Sequence, residues 1–343
     1  MVRQFPRSII RAAAVSAEAI AVVTVPDEDD PGSTRSTFHL WRDGGWRSVA
    51  HAFAVAALGV DRGPAGDGGD RVAAIDAEGR LLEPFSGQID EGLVAARAGM
   101  ANDHILGPIA DFALFGEEVL AVGWGGQVWR RQAGGWRPGD LEFFDRKIDE
   151  TAREALFQKF INGTATEAEQ DAYVRAAIDS YGKTPWSLAA LAPGDAYACG
   201  DEGLLVHFDG ARATRIDTHG ETRLARAAVG PDGRIWVCGE DATVLVGTAS
   251  DGFVRQVLPL GDFDFTRITA FGKWICLIDH PDRVLLLEGR TLVELRPPFD
   301  PPPKEIHTIT VVDGILWIVS HKDILRFDGA QWRRLPFPPA VGE

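Results

Sequence analysis

Residues 305–338, EIHTITVVDGILWIVSHKDILRFDGAQWRRLPFP, decide how the rest of the chain is read. Apolar and β-branched residues gather in four short segments, 306–312, 315–320, 323–327 and 331–335, a pattern that favours strands over helix. Three turn signals separate them: Asp313-Gly314, Ser320-His321-Lys322 and Asp328-Gly329. Each stands where a chain reversal needs residues that tolerate positive φ or bond their own backbone. A four-stranded sheet of this size cannot bury both faces alone, so it requires similar sheets beside it.

The last turn of the unit, an apolar strand running into glycine and then an aromatic or arginine, recurs along the chain. It returns at Gly44, Gly87, Gly134, Gly210, Gly252, Gly289 and Gly329, at intervals of 43, 47, 76, 42, 37 and 40 residues. Seven copies in the forties, four strands each, predict an all-β fold. The expected architecture is a seven-bladed β-propeller of four-stranded antiparallel blades, a single domain over residues 1–343. Blades are expected at 5–50, 51–97 and 104–140, with later ones starting near Trp186, Arg223, Phe265 and Glu305.

The second strand of each copy gives an independent alignment, with an aromatic two residues before a small apolar side chain. The pairs are Tyr197/Cys199, Trp236/Cys238, Trp274/Cys276 and Trp317/Val319, with Leu120/Val122 in the same slot. All three cysteines of the chain then occupy one repeat-equivalent position. Cysteines some forty residues apart on neighbouring blades suit neither a disulfide nor a clustered metal site, and read as small core residues.

The interval of 76 residues is one blade plus an insertion. Across 141–182 the strand alternation disappears, and Ile148, Ala152, Ala155, Leu156 and Phe160 fall at helical spacing. Asn162-Gly163 ends this helix, and Thr164-Ala165-Thr166-Glu167 reads as a capping box opening a second. Ala172, Tyr173, Ala176, Ala177 and Tyr181 form its apolar side. The expectation is an inserted helical hairpin, either packed on the propeller rim or serving as a lid or docking element.

A formal net charge of −15 argues against nucleic acid and anionic membrane as partners and is compatible with a basic protein. Three cysteines without an evident pairing scheme suit a reducing compartment, so a cytoplasmic monomer is expected. No run of eighteen apolar residues predicts a membrane span. The alanine-rich N-terminal run is interrupted by Arg11 and Glu18, and residues 20–25 fit the second strand of the first blade better than an export signal.

Because blade strands alternate in direction, the turns after second strands share a face with the connections between blades. Trp124, Asp201, Glu202, Glu240, Asp241, Asp279, His280, His321 and Lys322 are therefore expected to ring one mouth of the central channel. The acidic loop 26–35 and the insertion, with Phe157 and Tyr173 as candidate contacts, belong to the same face. No HExxH, GxSxG, Walker or dinucleotide motif occurs, and the eight histidines are scattered. Asp61, Asp67 and Asp70 lie in a Gly-rich loop whose spacing departs from an EF-hand. Asp262 and Asp264 are two acids at strand spacing and alone are weak support for acid/base chemistry. No catalytic residue, metal or cofactor is assigned.

The blade pattern, an apolar strand, a small turn, a second apolar strand and then Asp-Gly-x-Trp-Arg as at 43–47, resembles divergent bacterial propeller repeats of the photosystem assembly factor-like and sensor-propeller type. The resemblance covers nearly the whole chain outside 141–182. The Trp-Asp and Gly-His marks of WD40 blades are missing, and Gly125-Gly126 is similar to kelch in one blade only. Asp232-Gly233 and Asp251-Gly252 do not complete a sialidase Asp-box. The resemblance implies a protein-binding or assembly role. The expectation is a non-enzymatic binding propeller, a scaffold, adaptor or immunity-type protein whose acidic surface suits a basic partner on the face carrying the insertion. The alternative is a hydrolase or lyase acting on a small molecule or sugar at the channel mouth.

Overall fold

Twenty-eight strands in seven sheets make up the computed structural model, which describes residues 7–30, 32–61, 71–99, 106–139, 150–170, 184–210, 212–259 and 261–340. Each sheet holds four strands consecutive in sequence, paired antiparallel in chain order. The unit first read at 305–338 forms strands Ile306–Val312, Ile315–Ser320, Ile324–Phe327 and Trp332–Arg334. The first strands of the blades are β1 (Arg7–Ser16), β5 (Ala57–Val60), β9 (Ile109–Phe115), β13 (Pro185–Ala192), β17 (Leu224–Val229), β21 (Phe265–Phe271) and β25 (Ile306–Val312). Each touches the first strands of both neighbouring blades, and β25 touches β1, so these seven form the inner wall of a closed ring. The alanine-rich N-terminal run is β1, and β2 (Ala19–Pro26) is buried throughout.

Apolar clusters fill every gap between sheets, which is why sheets with two oily faces are stable only as a ring. Cys199, Tyr197 and Leu205 of the fourth blade pack with Val237, Leu245 and Phe253 of the fifth. The joint between seventh and first blades has no exchanged strand to hold it. Ile9, Ile20, Val22 and Trp41 meet Trp317, Val319, Ile324 and Leu335 there. Polar contacts edge this joint: Ile9 N–H donates to the His321 carbonyl at 2.9 Å, and Lys322 Nζ reaches Asp27 at 2.7 Å.

The repeat glycines Gly44, Gly87, Gly210, Gly252, Gly289 and Gly329 all adopt positive φ, as the turns between third and fourth strands require. In the third blade the left-handed residue is Gly135 (φ 93°), one position after the expected Gly134. The sixth blade corrects the cysteine alignment. Its first hairpin pairs Phe271 with Trp274, as the seventh pairs Val312 with Ile315. Trp274 therefore matches Ile315 and Cys276 matches Trp317, two residues earlier than the slot shared by Cys199, Cys238 and Val319. All three thiols are nevertheless free and 0% exposed. Burial pushes Cys238 and Cys276 up to about 12 and Cys199 higher still. Native protein is expected to leave a thiol-reactive chromophore unmodified for hours at about pH 8, with all three cysteines reacting once urea unfolds it. Rapid labelling without unfolding would contradict this packing.

Outside the sheets, the described residues include two short helices and the first turn of a third. The first, α1 (Gly92–Ala98), follows the second blade and was not expected from sequence; Leu93 anchors it, fully buried. The second, α2 (Glu150–Ile161), lies in the insertion, and Gly163 (φ 66°) follows its end. Thr164 bonds back to the Lys159 carbonyl, so it closes α2 and opens no new helix. The capping box is instead Thr166 with Glu169: Glu169 N–H donates to Thr166 Oγ1, and Thr166 N–H to Glu169 Oε2. Residues 167–170 are helical. The apolar side expected for this second helix, with Tyr173, falls outside the described residues. Leu156 of the expected α2 stripe is half-buried, while Phe157, Phe160 and Ile161 are 37%, 47% and 55% exposed. Among the described residues no helix is long and apolar enough to cross a membrane.

Candidate functional site

In six of the seven blades the hairpin between first and second strands slips register at one level. The slips fall at Ile9/Arg11, Pro185/Ser187, Leu224/Arg226, Phe265/Arg267 and Ile306/Thr308, and in the third blade beside Asp111. A bulge inserts one residue, bends the strand and re-aims the side chains around it. The residue after the slip faces a buried partner on the second strand: Arg11 with Val23, Asp111 with Val122, Ser187 with Cys199, Arg226 with Cys238, Arg267 with Ile278 and Thr308 with Val319. One structural level of the ring thus carries a set of polar side chains.

A cavity of about 440 Å³ occupies the channel, and Arg11, Asp111, Arg226 and Arg267 line it with Thr308 and His307. Arg11 donates Nε–H to the Ala56 carbonyl (2.7 Å) and Nη1–H to that of Ile10 (2.8 Å). Arg267 does the same toward His307 and Thr266, both at 2.7 Å. Asp111 is buried, accepts the Leu188 N–H at 3.0 Å and pairs with Arg226 Nη1 at 3.2 Å. Burial, reinforced by the positive charge of Arg226, pulls Arg267 down to about 10 and also lowers Arg11. His307 bonds Thr308 Oγ1 through Nδ1 at 2.9 Å, and its buried Nε2 meets no partner among the described residues. Burial, then His321 and the two arginines, pull it down to about 3, so its imidazole is neutral.

The expected mouth residues assemble in part. Trp124 meets Trp186 edge-on, ring centres 5.5 Å apart, and Trp186 Nε1–H donates to Asp201 at 2.7 Å. Arg223 lies over the Trp186 ring and reaches Asp201 at 3.5 Å and Glu240 at 3.2 Å. Glu202, Glu240, Asp241, His280 and Lys322 are exposed, and Glu202 and Asp241 take positive φ. His321 is half-buried and pairs with Glu305 at 3.0 Å. Asp279 departs from the surface role expected of it: it is 2% exposed, accepts the Asp264 N–H at 2.9 Å and pairs with Arg283. In the acidic loop Asp29 pairs with Arg35, and Asp27 with Lys322. Asp61 accepts the Gly116 N–H at 2.8 Å, while Asp67 and Asp70 lie outside the described residues. Asp262 and Asp264 are both exposed, and Asp264 accepts the Asp241 N–H at 3.4 Å. Among the described residues no three His, Cys, Asp or Glu side chains gather as a metal site.

Comparison with known proteins fits this geometry at the level of fold. No family model matches the chain. Over 146 residues it is 27% identical to "Immune protein Tsi7" of Pseudomonas aeruginosa, a match covering 40% of this chain and 44% of that protein. The chain therefore aligns with less than half the length of that relative. A catalytically inactive virginiamycin B lyase from Staphylococcus aureus, solved with quinupristin, superposes with a TM-score of 0.61 at 10% identity, over 94% of each chain. YCF48 from Cyanidioschyzon merolae gives 0.57 at 11% identity, covering 95% of this chain and 97% of its own. Both share the propeller fold with this protein, which is a divergent propeller like them.

The channel arginines were not singled out from sequence, and neither was Trp186. A signal was present: Ile10-Arg11-Ala12-Ala13, Ala225-Arg226-Ala227-Ala228 and Thr266-Arg267-Ile268-Thr269 stand at matching places in three first strands. Aligning first strands as well as turns would have exposed it.

Proposed function

We propose that this chain is a non-enzymatic binding propeller of the immunity or adaptor kind. It docks a protein on the face bearing the Trp124–Trp186 pair, the exposed acids Glu202, Glu240 and Asp241, and the insertion at 141–182. The sequence match to a protein named as an immune protein carries this reading. A net charge of −15 favours a basic partner and faster encounter with it, and the chain acts as a cytoplasmic monomer. Tagged protein recovered from its native cells is expected to bring down one protein in stoichiometric amount, identified by mass spectrometry. Replacing residues 141–182 with a short Gly-Ser linker should lower that recovery at least tenfold. An identical set of co-purified proteins from both forms would overturn the reading.

A second reading, a lyase or hydrolase working at the channel mouth, draws on the unpartnered Nε2 of His307 beside the cavity. It ranks behind the first because an imidazole held at about 3 is a weak base near neutral pH. The acids around the mouth are also engaged, Asp201 and Glu240 by Arg223 and Asp279 by Arg283.

A further inference from the structure

We infer that the central channel is a binding site for a small dianion, a phosphate monoester or a dicarboxylate, held by Arg11, Arg226 and Arg267. Four arginines line one cavity; Arg223 is neutralised by Asp201 and Glu240, which leaves Arg11, Arg226 and Arg267 with Asp111 as the only acid among the described residues lining it. Two positive charges are therefore left uncompensated in the middle of a protein whose net charge is −15. That balance opposes the empty state, because like charges gathered in a partly desolvated space repel one another. Burial lowers Arg11 and Arg267, and the neighbouring charge of Arg226 adds to the lowering of both.

The donors are also positioned for a ligand. Arg11 and Arg267 spend Nε and Nη1 on backbone carbonyls of the inner wall, which fixes each guanidinium plane. Among the described residues no acceptor meets the Nη2 of either. Arg226 Nη1 lies 3.2 Å from Asp111 Oδ2. Fixed forks with outward N–H groups are what phosphate and carboxylate recognition uses. The buried Nε2 of His307 adds a further polar atom lacking a partner at the same level. The cavity volume, about 440 Å³, suits a metabolite-sized ligand. Trp124 and Trp186 also line the cavity and supply an aromatic wall for a planar or apolar portion of the ligand.

Trp124 and Trp186 belong to this cavity and to the proposed docking face alike, but Arg11, Arg226 and Arg267 lie on the inner strands, so anion titration tests this site and partner recovery tests the docking face separately. The test is isothermal titration of the full chain with inorganic phosphate and with succinate, at ionic strength held constant with sodium chloride. Saturable one-to-one binding of either anion is expected, and the preferred one distinguishes phosphate from dicarboxylate chemistry. Arg226→Gln and Arg267→Gln are each expected to weaken binding at least about tenfold, in line with losing a charge-assisted hydrogen bond. Exposed Arg290→Gln should leave binding unchanged. Thermal melting of the full chain supplies a second readout: saturating phosphate or succinate should raise the melting temperature of the wild type, and the same anion should leave that of Arg226→Gln and Arg267→Gln unshifted, whereas arginines with a purely structural role would give no anion-dependent shift in any form. Absence of saturable binding for both anions, or binding that survives the Arg226→Gln, Arg267→Gln double substitution, overturns the inference.

Discussion

Alanine at Trp317 is expected to cost the fold about 3–5 kcal/mol, read as a fall in the urea midpoint with the slope of the transition preserved. Trp317 is 0% exposed and packs against Ile9, Ile20, Val22 and Trp41 across the joint between the last blade and the first. With no strand shared across that joint, the indole is a large part of what closes the ring. Its Nε1–H has no partner among the described residues. Trp317→Phe keeps most of the apolar volume and removes that N–H, so it should cost less than about 1.5 kcal/mol. Equal losses for the two variants would show that the joint is not held by the filling of this space.

Acid is expected to weaken the fold well before carboxylates titrate. His39 is 1% exposed and bridges Thr24 Oγ1 (2.9 Å) and Ser48 Oγ (2.7 Å), while Arg7 Nε–H donates to the same Thr24 oxygen. That chain of donors is satisfied by a neutral ring, and burial, followed by the charge of Arg7, pulls His39 down to about 3. An unfolded histidine titrates near 6.5, so between those values the unfolded chain holds the extra proton. Stability from this residue is complete above about pH 6.5 and is lost as pH falls toward about 3, at up to about 1.4 kcal/mol per pH unit. His307 adds to the same slope. Urea unfolding between about pH 7 and about pH 4.5 should show close to two protons taken up on unfolding, and close to one for His39→Gln. Identical slopes for wild type and variant would refute the assignment.

The fold was legible because its determinants are local and repeated. A glycine that must take positive φ recurs once per blade, and apolar strands flank it each time. The details that escaped depend on register. Trp274 looks like the counterpart of Trp317 in sequence, yet the hairpin pairing sets it two residues away. The arginines of the channel were hidden because a lone Arg in an alanine-rich strand reads as a solvent-facing residue. Only the bulge turns its side chain inward. Asp279 was placed on the surface as a turn residue, but it ends the second strand of the sixth blade, where Arg283 and the Asp264 amide cover it. Phe157 was legible only as part of a helix, since nothing in a sequence says what an inserted helix will touch.

Each sheet is completed by its own contiguous stretch of about forty residues, and nothing is borrowed from the opposite end of the chain. A blade is thus a portable cassette. Duplication or deletion of one would respect the wiring of the others and change only the diameter of the hole and the number of teeth pointing into it.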